Sequence, residues 1–445
     1  MQSFFKHGAA MLLSVGLAVS LVACGPGSSD KQAGSNEPDS VSTDLGDKSY
    51  SLTLWDGAGL KTVDDALIKG FTKKYPKIKI KAHYDPDNVT SQNGPRLIAS
   101  KDAPDIARVT DVNSAVKGKH VISLEPYVQA YGWKVPQSQT QLYRADGAGK
   151  VGKGNLYALP NSYSVAGMYV NAKLLKKAGI EKVPTTMDDL ESDMAKVKDA
   201  GEIPVMINGK DGGLSFIFQA MMVNNDSLKT VTDWILQRDG STFDTKGAKK
   251  AAERIQSWSK SGYLPTDVNA VDGSSALNRF ANGQGVFFPS GNWNLDQMND
   301  SLGADVQFVP FPSNSADQKP NIAANGGSFF GIPTNSAQKD AAACFLNYTQ
   351  SDEARQIIAD VSGYFPKTVK GQSVPKAKNN LQKSMFDSYL NVFESGNSTD
   401  FINNATAGLQ ASALVPNFQL LVDGSISPSQ FTQNVQNEYK QEVMQ

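Results

Sequence analysis

Residues 156–171, LYALPNSYSVAGMYVN, constrain the fold more than any other stretch. Two apolar runs, Leu156–Leu159 and Val165–Val170, are separated by Pro160 and by Asn161, Ser162, Tyr163 and Ser164. Short runs rich in β-branched and aromatic residues read as strands. The polar set between them, hydroxyls, an amide and one ring, is of the kind that holds a polar ligand. An α/β-patterned half lies on each side, so the pattern predicts a crossing between two lobes with these four residues at the floor of a cleft, where small-ligand sites prefer to lie. The same pattern also fits an ordinary strand, loop and strand.

The chain opens with Lys6, His7 and an apolar run from Ala9 to Val22, too short for a membrane span and placed as in a secretory signal over residues 1–23. The segment Leu21-Val22-Ala23-Cys24-Gly25 resembles the bacterial lipobox, which implies lipidation of Cys24 and a lipid anchor on the extracellular face of the cell membrane. The alternative is a signal peptide with an incidental cysteine. Residues 24–49 are expected to be a flexible tether, since between 25 and 48 only Ala33, Val41 and Leu45 are apolar. About 24 such residues reach roughly 25–30 Å. If Cys24 is lipidated, Cys344 has no disulfide partner; within the helical pattern KDAAACFLNYTQ it reads as a small core residue. The body from residue 50 is long for one core, and a formal charge of −1 implies neither nucleic acid nor an anionic membrane surface as partner.

Periodicity predicts strand 52–55, helix 62–74, strand 78–82, helix 89–100 and strand 106–109, a βαβαβ order, with Gly94-Pro95 interrupting the second helical region. Further helices are expected over 172–178, stopped by Gly179, after the capping sequence Thr185–Asp189, and over 246–261, where Trp258 falls on the apolar face.

The chain contains three histidines and no HExxH, CxxC or GxSxG, so metal, cofactor and triad chemistry are disfavoured and the reading is of a protein that is not an enzyme. A glycosidase needs only two carboxylates without fixed spacing and escapes this search. Aromatic, amide and acidic residues follow several strands: Trp55-Asp56, Thr110-Asp111 and Gly291-Asn292-Trp293. The crevice beyond strand carboxyl ends is the binding place of open α/β sheets. Trp293 reads as a ring displayed from a loop or as a packed core side chain, Trp55 fits either environment, and Asp56 and Asp111 fit helix caps as well as ligand contacts.

In order and spacing, 71–80 (FTKKYPKIKI), 103–106 (APDI), 123–127 (SLEPY), 156–160, 169–180 (YVNAKLLKKAGI), 184–190, 279–293 and 326–333 followed by 341–353 resemble family 1 extracellular solute-binding proteins, the sugar-binding lipoproteins of carbohydrate ABC importers, of the maltose-binding type. The resemblance implies an α/β, two-lobed periplasmic-binding-protein-like fold with discontinuous lobes, 50–160 plus 329–368 and 161–328 plus 369–445, around a central ligand cleft. It implies crossings near 160–164, 323–327 and 363–370, with Gly326-Gly327 as a permissive hinge. Ligand positions carried over are Trp293, Tyr163, Ser162, Asp56, Asp111, Asn325, Gly326, Gly327, Asp211 and Phe216. Trp293 and Tyr163 are expected to stack on sugar faces, and Asp56, Asp111 and Asn325 to bond its hydroxyls. Gly-Asn rather than Gly-Pro before Trp293, and no lysine after Trp55, argue against maltose itself. The expected role is capture of a mono- or oligosaccharide by a monomer, with delivery to the permease subunits of an ABC importer. The competing readings are a surface-anchored hydrolase using Asp56 and Asp111, and a carrier of a non-sugar solute.

Overall fold

In the computed structural model, which describes residues 37–38, 40–406 and 408–444, the βαβαβ order holds. β1 (Tyr50–Gly57), β2 (Ile78–Asp85) and β3 (Ile106–Ala107) form a parallel sheet in the order β2-β1-β3, joined by α1 (Lys61–Lys74) and α2 (Asp87–Ala99). Val63, Leu67 and Phe71 recur every four residues and are the buried face of α1. Fully burying an apolar side chain of this size contributes roughly 1.5–3 kcal/mol. α2 runs through Gly94-Pro95, correcting the expected break; the helix tolerates the one backbone bond that Pro95 cannot make.

β4 (Arg144–Ala145) and β5 (Asn155–Leu156) form a short antiparallel pair, and β6 (Leu159–Pro160) pairs with β11 (Phe329–Phe330). The expected strand, polar break and strand is corrected at β7, which spans Ser162–Asn171 without interruption. β7 pairs antiparallel with four strands: β8 (Phe287–Gly291), β9 (Val306–Val309), β10 (Ile322–Gly326) and β12 (Phe365–Pro366). β13 (Ser398–Thr399) adds to β10 in parallel. Backbone groups that a loop would have left to side chains or water are satisfied here by neighbouring strands.

Two lobes follow from the packing. One core draws its residues from 52–159 and 329–358; the other half is packed from two clusters within 163–439. The chain passes between the halves after Leu159, after Ala324 and after Ile358, so neither half is continuous in sequence. Cys344 and Trp258 are buried, and the Trp258 indole donates to Glu191 at 2.7 Å. Thr186 caps the helix Met187–Asp199 by accepting the Asp189 N–H.

The lipidation position Cys24 and the 1–23 leader lie outside the described residues. The end of the expected tether is docked rather than free. Val41 and Leu45 pack on the first core, and the Ser42 N–H donates to Asp340 at 3.1 Å.

Candidate ligand-binding site

A cavity of about 170 Å³ lies where the strand ends of the first lobe meet the crossings. Gly59 and Leu60 enter it from the turn after β1, Thr90 from α2 and Arg108 from the residue after β3. Ser164 enters from β7, Gly326 and Gly327 from the end of β10, and Tyr364 from just before β12. Both halves of the molecule therefore supply its wall, the placement expected of a ligand site. A larger hollow of about 460 Å³ lies on the surface by Asn224, Lys319 and Asn397, but no aromatic side chain lines it.

Arg108 is the one charged side chain on the cavity wall among the described residues. Its Nε donates to Asp56, its Nη2 donates to the Gly327 carbonyl at 3.0 Å, and the guanidinium lies over the Phe329 ring at 5.1 Å. Asp56 and Asp64, the latter from α1, are both fully buried and share a hydrogen bond. One oxygen of Asp56 and both of Asp64 meet no ordinary donor. These two facts agree if a proton sits between the carboxyls, because two adjacent carboxylates out of water cannot both ionise. Burial, and then the Asp56 charge, push the Asp64 carboxyl well above the usual carboxylate range, so Asp64 carries the proton and donates it to Asp56. Burial raises Asp56 too, but the Arg108 charge opposes it, and the single negative charge belongs on Asp56.

A second feature is an aromatic cluster around the loop after β8. The Trp293 side chain is 41 % exposed, and its ring lies 5.5 Å from Phe216 and 6.2 Å from Phe401. Its position is set by Asn292, which is buried. The Asn292 Oδ1 accepts the Val165 N–H at 3.0 Å, and its Nδ2 donates to the Tyr163 carbonyl at 3.1 Å. This amide clamps the loop to β7 beside Ser164, a bond pair that a proline at the same place cannot make. Gly291 is needed because any Cβ there would lie 2.0 Å from the indole.

Several expected site residues are placed elsewhere. Tyr163 is buried with its ring against Phe393 at 4.9 Å and its hydroxyl donating to the Gln139 carbonyl, so it offers no stacking face. The Ser162 hydroxyl is buried and accepts the Ser328 N–H at 3.0 Å. Strand pairing on both edges of β7 turns these side chains into packing, and of the four polar residues only Ser164 reaches the cavity. Asp111 caps the helix Val112–Lys117, accepting both the N–H and the hydroxyl of Ser114. Asp56 reaches the cavity only through Arg108, so the acidic pair required by the hydrolase reading is engaged elsewhere. Asp211 accepts from Asn208 and from the Gly273 N–H.

Asn325 bridges Tyr143 and Asp400 at a neighbouring crevice of about 20 Å³. Neither glycine of the Gly326-Gly327 pair has a φ in the left-handed region. Space excludes a side chain instead: a Cβ on Gly326 would meet the Tyr143 hydroxyl at 2.3 Å, and one on Gly327 the Tyr364 ring at 2.9 Å. Trp55 is core, its indole donating to Asp85 at 2.8 Å. Sequence reasoning missed Arg108, Tyr364 and Phe401. An arginine directly after the apolar pair Ile106-Ala107 was the one visible signal among them.

The model of the bacterial extracellular solute-binding protein family matches residues 57–356. A curated relative, the diacetylchitobiose binding protein DasA of Streptomyces coelicolor, is 22 % identical over 370 residues, covering 79 % of each chain. Among solved structures, a chitin oligosaccharide binding protein superposes with a TM-score of 0.72 at 17 % identity, covering 89 % of this chain and 100 % of its own. A family 1 extracellular solute-binding protein from Bifidobacterium longum subsp. infantis gives 0.72 at 19 % identity, covering 88 % and 100 %.

Proposed function

The chain belongs to the bacterial extracellular solute-binding protein family, and from that premise we propose that it captures a sugar or oligosaccharide between its lobes and hands it unaltered to the permease of an ABC importer. The observation that carries this reading is the displayed Trp293 indole, backed by Phe216 and Phe401 and clamped to β7 one position from the cavity residue Ser164. A sugar presents an apolar C–H face and a rim of hydroxyls. An exposed indole suits the face, and Ser164, Thr90, Arg108 and Tyr364 supply polar groups for the rim.

Ligand that touches both lobes favours the closed arrangement only by its differential affinity for it. The proposed lobes are 50–160 with 329–368, and 161–328 with 369–445. A lipid anchor at Cys24 would keep a monomeric carrier near its permease. The sugar-binding names of the relatives support the ligand class.

Calorimetric titration of mono- and oligosaccharides tests the reading. Trp293→Ala is expected to weaken the bound sugar at least about tenfold, about 1.4 kcal/mol, with the thermal midpoint little changed because the ring is 41 % exposed. Unchanged sugar affinity in this variant, or binding of amino acids or peptides while every sugar fails, overturns it.

A further inference from the structure

We propose that the cavity is built to take uncharged sugars and to reject their uronic acid counterparts, because its only cation is already balanced by the carboxylate behind it. This rests on the reading of the cavity as a sugar site and names the class of sugar it admits.

Four observations carry the inference. Arg108 is the only charged side chain on the wall among the described residues. Its orientation is fixed by three contacts, with Asp56 at Nε, the Gly327 carbonyl at Nη2 and the Phe329 face beneath. Nη1 makes no hydrogen bond among the described residues and remains to donate to a ligand oxygen. Directly behind the guanidinium lie two fully buried carboxyls, Asp56 and Asp64, of which the second is held neutral by its burial and then by the charge of the first.

The sum over the cluster is one positive charge on Arg108 and one negative charge on Asp56, with Asp64 contributing none. A hydroxyl, ring or carbonyl oxygen can accept from Nη1 without disturbing that balance. A carboxylate would add a second negative charge beside Asp56, with no further cation on the wall to meet it. An unpaired charge carried out of water is strongly disfavoured. A bare arginine in the same cavity would do the opposite and seek a carboxylate as a bidentate partner. Asp56 is therefore the residue that sets selectivity, acting through Arg108 without touching the ligand.

The test is titration calorimetry at neutral pH on the full chain with matched pairs: glucose and glucuronate, galactose and galacturonate, galactobiose and digalacturonate. The protein is expected to bind the neutral member of its best pair at least about tenfold more tightly. Asp56→Asn leaves Arg108 uncompensated and is expected to move that ratio at least about tenfold toward the uronate. Asp64→Asn replaces a group already neutral, keeps a donor toward Asp56, and is expected to leave the ratio within about twofold. Equal or tighter uronate binding by the unmodified protein overturns the proposal, as does a shifted ratio in Asp64→Asn; both results stand even if Asp56→Asn fails to fold. Sugar binding with the wrong preference sinks this inference alone, whereas loss of all sugar binding with capture of amino acids or peptides sinks the sugar reading as well.

Discussion

Replacing Asp400 by asparagine should flatten the acid side of the stability curve. Asp400 follows β13, is buried, and accepts at Oδ1 from the Asn325 amide at 2.7 Å, the Asn404 amide at 2.9 Å and the Phe401 N–H at 2.7 Å. Burial pushes its carboxyl up to about 6 from the ordinary 3.8, the three hydrogen bonds only partly offsetting the loss of water. Because the folded value lies above the unfolded one, the folded chain holds this proton more tightly. The stability tied to it is complete below pH 3.8 and is lost as pH rises through 6. Integrating that linkage between pH 4 and 7 gives a loss of about 2.4 kcal/mol. An asparagine cannot ionise and has no such loss, so the stability of the unmodified protein relative to Asp400→Asn should fall by that amount across the window. Urea unfolding at half-unit pH steps on both proteins measures the difference directly, and other titrating groups, Asp56 and Asp64 included, cancel in it. A difference that stays constant within about 0.5 kcal/mol would show that Asp400 ionises in the folded chain as easily as in water, and the burial argument would be wrong.

Gly363→Ala places a Cβ 2.3 Å from the Asn292 carbonyl and 2.8 Å from the Leu295 side chain. It is expected to destabilise by about 1–3 kcal/mol and to weaken sugar binding through the loop that carries Trp293; an unchanged thermal midpoint in a melting scan contradicts it. The Cys344 thiol, buried and pushed up to about 11 by that burial, should resist alkylation in native protein carrying Cys24→Ser and react only after unfolding, as followed by mass spectrometry.

The first sheet was legible because its signals are local. β2 and the first half of β1 alternate, α1 repeats its apolar residues every fourth position, and Pro76 follows its end. The displayed loop at Trp293 was legible for the same reason, from a glycine and a short helical segment after an apolar run. The cluster behind the cavity was not. Asp64 stands in the first turn of α1, where an acidic residue is ordinary on dipole grounds, and only the packed structure shows that it faces Asp56 across the sheet ends. Tyr163 and Ser162 carried the chemistry of a ligand site, yet their fate depended on β12, two hundred residues away, closing over them. In the sequence Asn292 shows only as a departure from proline; its use as a clamp depends on the position of Val165. Capping was legible as an alternative for Asp111, and the Ser114 contacts decide it.

The interrupted course of the chain has a consequence for how the protein is made. A nascent polypeptide that has emerged as far as Leu159 holds most of the first core yet lacks the residues from Phe329 to Ile358 that complete it. Bringing those parts together closes a loop of about 170 residues, at an entropic cost of about 4.5 kcal/mol before any constant term. Until then the early sheet is an unfinished half with an open apolar face. Late completion of this kind leaves the first half unfinished until residue 358 has been made, and a rearranged gene that begins at residue 329 and carries residues 50–328 after residue 445 is a direct probe of folding speed.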